Sequence, residues 1–353
     1  MVARGVLAEI EEPDVAPGSR AARGRPPVRL DFAPAAGTVA SLRVGFDYAE
    51  FGLADARGRF VRTRSRNLAL HARDAAGVVA ELGDFVAAEL AGSGLQRPDA
   101  LAVAFQGFVD ADRGIVVWSP VLGCRDVALA DGLSARFGCP VALENDAGAL
   151  ALSVARREPA FARGRTAVIL LGDGVGLGLL FDGRLYRGVR AGGSEYGHIR
   201  VGAHGPQCRC GARGCIEASV ADYALYRDVR VALGHPVPAR EDEAEKAALV
   251  AAAEAGDPRA RATFDAAARV LADGVSILLQ LLQPENVVVA GPGVRARALL
   301  EPVLRRRLAA VATPGIVEHT RVTFAPFEPV QFLEGALRRG LESLDDALAA
   351  RQG

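Results

Sequence analysis

Apolar residues alternate with others at Leu42, Val44 and Phe46, then recur at Phe51 and Leu53 and, after the turn Asp55-Ala-Arg-Gly58, at Phe60-Val61. That pattern predicts strands joined by a turn. Helical spacing follows from about Ala75 to Leu90, then an unbroken apolar strand from Ala100 to Phe105. A second helix is expected near Leu129 to Phe137, a strand over Pro140 to Leu143, and a third helix over Asp146 to Arg156 with Asn145 or Asp146 as its cap. Before this, residues from Met1 to about Thr38 are rich in Pro, Ala, Gly and Arg and carry no sustained period, which predicts an irregular arm.

The second half repeats the pattern. Ala167-Val-Ile-Leu-Leu171 reads as an apolar strand ending in the glycine-rich turn Gly172-Asp-Gly174-Val-Gly176-Leu-Gly178, and Leu179-Leu-Phe181 continues into a hairpin turn at Asp182-Gly183. Alanine-rich helices fill Ala221 to Leu282, and a strand at Asn286 to Ala290 runs into Gly291-Pro-Gly293. Two halves that each open with strand, turn and strand and then alternate with helices predict a duplicated α/β unit. A ligand is expected in a cleft between the halves.

Composition narrows the partners. The chain of 353 residues is 50% hydrophobic and 24% charged, as expected of a soluble globular protein long enough for two domains. Lys plus Arg and Asp plus Glu are both 42, so no global field draws the molecule to nucleic acid or an anionic membrane. No apolar run reaches spanning length and Met1 opens no leader pattern, so a cytoplasmic location is expected. The five cysteines do not form a disulfide framework: three crowd into Cys208–Cys215, while Cys124 and Cys139 read as small buried apolar residues.

The crowded three point to a metal. Zinc takes four tetrahedral thiolate and imidazole ligands, and Cys208, Cys210 and Cys215 with His198 complete such a set; His204 competes for the fourth place. Four protein ligands leave no position for a catalytic water, so the zinc is expected to be structural. Glu195 and Glu217 flank this loop, where carboxylates can accept paired hydrogen bonds from a ligand with several hydroxyls. In Glu144-Asn145-Asp146-Ala147, Asp146 could take a hydroxyl proton as general base or simply cap the helix. The turns at Gly172–Gly178 and Gly291–Gly293 could bring backbone N–H groups to a phosphate or serve only the turns.

Together, Glu144-Asn145-Asp146-Ala, Glu195-Tyr-Gly-His198, Cys208-x-Cys210-Gly-x-x-Gly-Cys215-x-Glu217 and Val287-Val-Val-Ala-Gly291-Pro-Gly293 resemble the ROK family of repressors, open reading frames and kinases, from about residue 41 to near the C-terminus. The resemblance implies an α/β protein of the actin-like ATPase (ribonuclease H-like) fold, with two lobes and a central ligand cleft. The expected division is 1–40 as a linker arm, 41–150 as the first lobe and 151–353 as the second, carrying the zinc loop. By the same resemblance Asn145, Asp146, Glu195, His198 and Glu217 would contact sugar hydroxyls, and a homodimer or homotetramer is expected.

The family holds both sugar kinases and regulators. Kinases resembling this chain carry an Asp-x-Gly-Gly-Thr turn where it reads Asp47-Tyr48-Ala49-Glu50-Phe51. Glu50 would bring a carboxylate toward a nucleotide phosphate, and two unit charges ~4 Å apart repel by roughly 4 kcal/mol at an effective dielectric near 20. Asp173 adds another acid. Nucleotide contacts at Asp47, Gly172, Gly174, Gly176, Gly291 and Gly293 are therefore expected to be weak, with ATP and magnesium bound only if the chain is a kinase using Asp146 as base. The arm, from Arg4-Gly-Val-Leu-Ala-Glu9 to Gly24-Arg25-Pro26-Pro27-Val-Arg-Leu30, resembles the end of a winged helix domain and its linker in ROK regulators. Arg20, Arg23 and Arg25 are expected to belong to an exposed linker, and DNA binding to require a winged helix preceding Met1. A sugar-responsive regulator module is the expected function.

Overall fold

A computed structural model describes residues 6–10, 29–189, 195–202, 204–238, 242–313 and 315–350. By contact density the chain divides into two compact units, one of residues 1–107, 113–144 and 336–353, the other of 108–112 and 145–335. The boundary expected at 150/151 would have cut a helix; the division falls instead at 144/145, where a strand ends and that helix begins.

The first unit opens with β1 (Leu7–Ile10) and β2 (Arg29–Phe32), paired antiparallel with Leu7 opposite Phe32. The arm expected to be irregular thus contains a short ladder. Two four-residue runs so far apart carry too little alternation to be read in advance, and what holds them is tertiary: Val6 and Phe32 pack against a core of Val39, Ala54, Ala100, Leu337 and Leu344. Arg20, Arg23 and Arg25 lie outside the described residues. The hairpin of β3 (Thr38–Gly45) and β4 (Tyr48–Asp55) continues into β5 (Phe60–Asn67), followed by α1 (Ala75–Ala91) and β6 (Ala100–Phe105). After β7 (Phe108–Asp110), which is grouped with the second unit, and β8 (Ile115–Trp118) come α2 (Leu129–Phe137) and β9 (Val141–Asn145). The sheet order is β5-β4-β3-β6-β9, with β3 antiparallel to β4 and parallel to β6.

The second unit begins with α3 (Asp146–Arg157) and the strands β10 (Arg165–Leu171), β11 (Val175–Phe181) and β12 (Arg184–Tyr186). Four helices follow the metal loop: α4 (Glu217–Val220), α5 (Asp222–Leu233), α6 (Glu243–Glu254) and α7 (Pro258–Leu282). Then come β13 (Asn286–Ala290), α8 (Arg297–Val311) and β14 (Arg321–Phe324); the last helix, α9 (Val330–Ala350), contributes residues to both units. The sheet order is β12-β11-β10-β13-β14, with β10 antiparallel to β11 and parallel to β13. Each sheet therefore runs third, second, first, fourth, fifth strand, with the second antiparallel and the fourth parallel to the first, in keeping with the duplicated α/β unit read from the sequence. No helix among the described residues is long and apolar enough to cross a membrane.

Packing fixes where functional residues emerge. Helix α3 lies on β11 because Gly176 and Gly178 leave room: a Cβ on Gly178 would stand 2.4 Å from Ala151 Cβ and 2.7 Å from the Ala147 carbonyl oxygen. Those glycines, read as a possible phosphate cradle, serve helix packing. Gly291, at φ 105°, likewise lets its turn cross β10, since a Cβ there would meet the Leu171 carbonyl at 2.6 Å.

Candidate metal centre and ligand-binding site

The loop after Glu195 is short of regular structure but rich in local bonds. A 3-10 turn over Tyr196–His198 places His198, and it can sit tight on β11 only because residue 197 is glycine: a Cβ there would come within 2.3 Å of the Val175 carbonyl. Downstream, Cys208 N–H donates to Ala212 O at 2.8 Å and Gly211 N–H to Cys208 O at 3.0 Å, with Gly211 and Gly214 at positive φ. The chain folds into a knuckle that returns Cys215 toward Cys208.

The nearest ligand atoms of His198, Cys208, Cys210 and Cys215 all lie within 4.8 Å of one another. His198 Nδ1 is 3.6 Å from Cys208 Sγ, and Cys210 Sγ is 3.8 Å from Cys215 Sγ. Tetrahedral zinc with bonds of about 2.3 Å to sulfur and about 2.0 Å to nitrogen needs edges of roughly 3.8 Å and roughly 3.5 Å, so the donor set fits that ion. His204, the competing ligand, is exposed and outside the set. Burial pushes the Cys215 thiol up to about 12, so a metal must displace a proton there on binding. Cys139 is buried, its thiol pushed up to about 11 chiefly by burial, whereas Cys124, expected buried, is half-buried.

The flanking acids meet this centre. His198 turns its other nitrogen, Nε2, to Glu195 Oε2 at 3.6 Å, the arrangement by which a carboxylate orients a metal-bound imidazole. Glu195 is held above the ordinary carboxylate range, first by burial, with Glu217 adding to the shift and His198 opposing it. Glu217 accepts a hydrogen bond from Val175 N at 3.2 Å through one oxygen, while the other lies 3.8 Å from Cys208 Sγ. Tyr223, stacked under the Arg209 guanidinium at 3.8 Å, points its hydroxyl at Cys208 Sγ from 4.0 Å. Neither Tyr223 nor Arg209 stood out in sequence, because nothing in a lone Tyr or Arg marks it as a neighbour of a thiolate.

Asn145 caps α3, its side-chain oxygen accepting from Ala147 N at 2.9 Å and Gly148 N at 3.3 Å. Asp146, 8% exposed, is the first residue of the helix and accepts from Ala147 N at 2.9 Å. The start of α3 rests on β11 at Gly176, one residue from Val175, where Glu217 and Gly197 also converge. Asn145, Asp146, Glu195, His198 and Glu217 thus all belong to the second unit.

The glycine turns look different from their sequence reading. Asp47 sits at φ 61° in the β3–β4 turn, and the Tyr48 ring lies against Gly45, where a Cβ would stand 2.6 Å from Tyr48 Cζ. Glu50 is not a bare charge, because Arg43, opposite it in the ladder, holds it at 3.0 Å. That pair neutralises most of the repulsion Glu50 would exert on a phosphate. At the second turn Asp173 lies 3.8 Å from Lys246, which also contacts Asp222 at 3.0 Å and Glu243 at 3.1 Å. Arg295, just past Gly291-Pro-Gly293, joins Asp222 at 2.7 Å and Glu243 at 2.6 Å. Burial works against the Lys246 ammonium, but its three acids outweigh that and hold its pKa above the usual lysine value. Three carboxylates against two cations knit both turns together, a network with no motif to announce it.

The model of the ROK family matches residues 39–336. The chain belongs to the ROK family. It is similar to a glucokinase of Thermotoga maritima, 32% identical over 238 residues that cover 64% of this chain and 74% of that protein. It is also similar to the DNA-binding transcriptional repressor Mlc of Escherichia coli, 25% identical over 342 residues covering 92% and 80%. Other curated relatives are spanned over as little as 51% of their length. Among solved structures, a ROK family transcriptional regulator homologous to the Escherichia coli protein superposes with TM-score 0.83 at 22% identity, covering all of this chain and 89% of that one. A ROK family glucokinase of Streptomyces griseus, in complex with glucose and AMPPNP, gives TM-score 0.71 at 27% identity over 87% and 100%. The fold is the actin-like ATPase fold of these ROK proteins, and the His198–Cys215 donor set is consistent with the ROK zinc motif. The family's kinases and repressors both stand among the relatives.

Proposed function

We propose that the chain is the effector-binding module of a ROK transcriptional regulator, taking a sugar or sugar derivative and transferring no phosphate. Asn145, Asp146, Glu195, His198 and Glu217 would bind its hydroxyls, and a structural zinc on His198, Cys208, Cys210 and Cys215 would keep the last three side chains in register. The zinc would supply rigidity alone, since four protein ligands close its shell. Asp146 then orients a hydroxyl without removing its proton. The module would act as a homodimer or homotetramer in the cytoplasm, and contact DNA only through a winged helix.

The observation that carries this reading is the β3–β4 turn. Phosphate-binding glycine turns expose backbone N–H groups, whereas here the Tyr48 ring lies against Gly45, and Ala49 and Glu50 stand in place of two glycines. The similarity to the Escherichia coli repressor, which covers 92% of this chain, supports it too.

The second reading is an ATP-dependent sugar kinase, favoured by the similarity to the Thermotoga glucokinase. Asp146, nearly buried at the head of α3, would deprotonate a sugar hydroxyl while magnesium and the turns at Asp47, Gly172, Gly174, Gly176, Gly291 and Gly293 held the nucleotide. A thermal-shift screen of sugars with and without ATP and magnesium separates the two. The regulator reading expects one sugar to stabilise the protein alone, by about 2.7 kcal/mol at a hundredfold excess over its dissociation constant. Sugar phosphorylation that is lost in Asp146→Asn would overturn it.

A further inference from the structure

Strand β5 is the outer strand of the first unit's sheet, and among the described residues nothing pairs with the edge it turns away from β4. In an antiparallel ladder every second residue directs its N–H and C=O outward, so the strand presents a row of backbone groups ready to accept another strand. It is exposed along most of its length, with Val61 66% exposed.

Its charge is one-sided. Residues 57–67 include Arg57, Arg59, Arg62, Arg64 and Arg66 and no acid, in a chain whose net charge is zero. Three of these are neutralised nearby: Arg57 by Asp31 at 3.5 Å, Arg59 by Asp55 at 3.2 Å and Arg62 by Glu89 at 2.9 Å. Arg64 and Arg66 meet no carboxylate among the described residues; Arg64 donates to the Thr63 carbonyl and Arg66 lies 6.0 Å over the Phe85 ring. The register puts Arg64 and Arg66 opposite Phe51 and Ala49, on the face that α1 covers through the Phe51–Phe85 contact. Where β5 meets Gly92 and Ser93 at the end of α1, a shallow groove of about 570 Å³ runs beside the strand.

A second copy of this edge would bring arginine onto arginine, and like charges facing across a ladder oppose pairing. The same arrangement favours a strand of opposite charge. We propose that β5 and the groove beside α1 form a docking edge for an extended acidic segment of a partner protein. The segment adds to the sheet as a further strand, its backbone pairing with β5 and its alternate carboxylates meeting Arg64 and Arg66.

The probe is a fluorescein-labelled peptide alternating Glu with Val, titrated into the full chain by anisotropy and followed by amide hydrogen exchange. Saturable binding that protects amides of Val61 to Asn67 is expected. Arg64→Glu with Arg66→Glu should weaken it about tenfold, and the variant should instead bind the matching peptide alternating Lys with Val. Both positions are exposed, and an unchanged melting curve of the variant checks that it folds. Absence of binding, protection elsewhere, or indifference to the charge reversal would overturn the proposal. So would displacement of the peptide by duplex DNA at lower concentration than by unlabelled peptide, which would make the strip a phosphate-backbone surface.

Discussion

Glu217 has two contacts that rarely fall to one carboxylate: one oxygen holds the first amide of β11, the other faces the Cys208 sulfur. The metal loop and the strand that supports Asp146's helix are thereby in register through a single side chain. Cys215, fully buried, is the ligand whose loss the loop can least absorb. Cys215→Ser should take the protein from about one zinc per chain to none, by elemental analysis, and lower its melting temperature by several degrees. An unchanged zinc content would show that the metal sits elsewhere. At this scale the sequence was informative where chemistry dictates spacing: the four metal ligands follow from residue types that have few other reasons to cluster. It was silent where a role depends on a neighbour. Arg43 neutralising Glu50, and Lys246 and Arg295 bridging Asp222, join residues distant or unremarkable in sequence, which no local pattern encodes.

Among elements, the contact of α3 with β11 decides where Asn145 and Asp146 emerge. Gly178→Ala places a methyl 2.4 Å from Ala151 Cβ and should destabilise the protein by about 1–3 kcal/mol through overpacking. Because α3 must lift to relieve the clash, sugar affinity should fall as well; isothermal titration of the folded variant would check this. At its other end α3 is pinned to α9, where Glu334 accepts from Ser153 at 2.6 Å and from Arg157 at 2.8 Å. Burial alone would raise the Glu334 pKa, yet the bonds from Arg157 and Ser153 prevail and hold it below the ordinary value. Its folded value thus lies under its unfolded one, so the stabilisation is complete above the usual carboxylate range and fades as pH falls through the folded value. Glu334→Gln should cost about 1 kcal/mol at neutral pH, discounted for the half-exposed arginine, and progressively less below about pH 4 in denaturant melts. The long apolar strands and the helices of the repeated pattern were legible because period and length both speak. The β1–β2 ladder was not, since its strands are short and tertiary contact holds them. The packing role of Gly176 and Gly178 was not legible, because a glycine vacated for a helix looks the same in sequence as one vacated for a phosphate.

For the molecule as a whole, two units with their own cores and the same strand order should unfold as two cooperative events. Every residue proposed to bind sugar lies within 145–335, so a stabilising sugar should move chiefly the calorimetric transition of that unit, identified by amide exchange in the same samples. A single transition shifted uniformly would show instead that the units melt together. The duplicated order was foreseeable from two strand-turn-strand openings; the allotment of the last helix was not, because its amphipathic pattern does not say which core it completes.

That allotment has a consequence for biosynthesis. Leu337, Leu344 and Leu348 close the core that Val39, Ala54 and Ala100 begin. A nascent chain emerging from the ribosome therefore holds an open hydrophobic seam around residues 39–100 until residues 337–348 follow, on the order of tens of seconds later at ordinary elongation rates. Chaperone dependence in the cell, rather than slow refolding in the test tube, is where that delay would be felt.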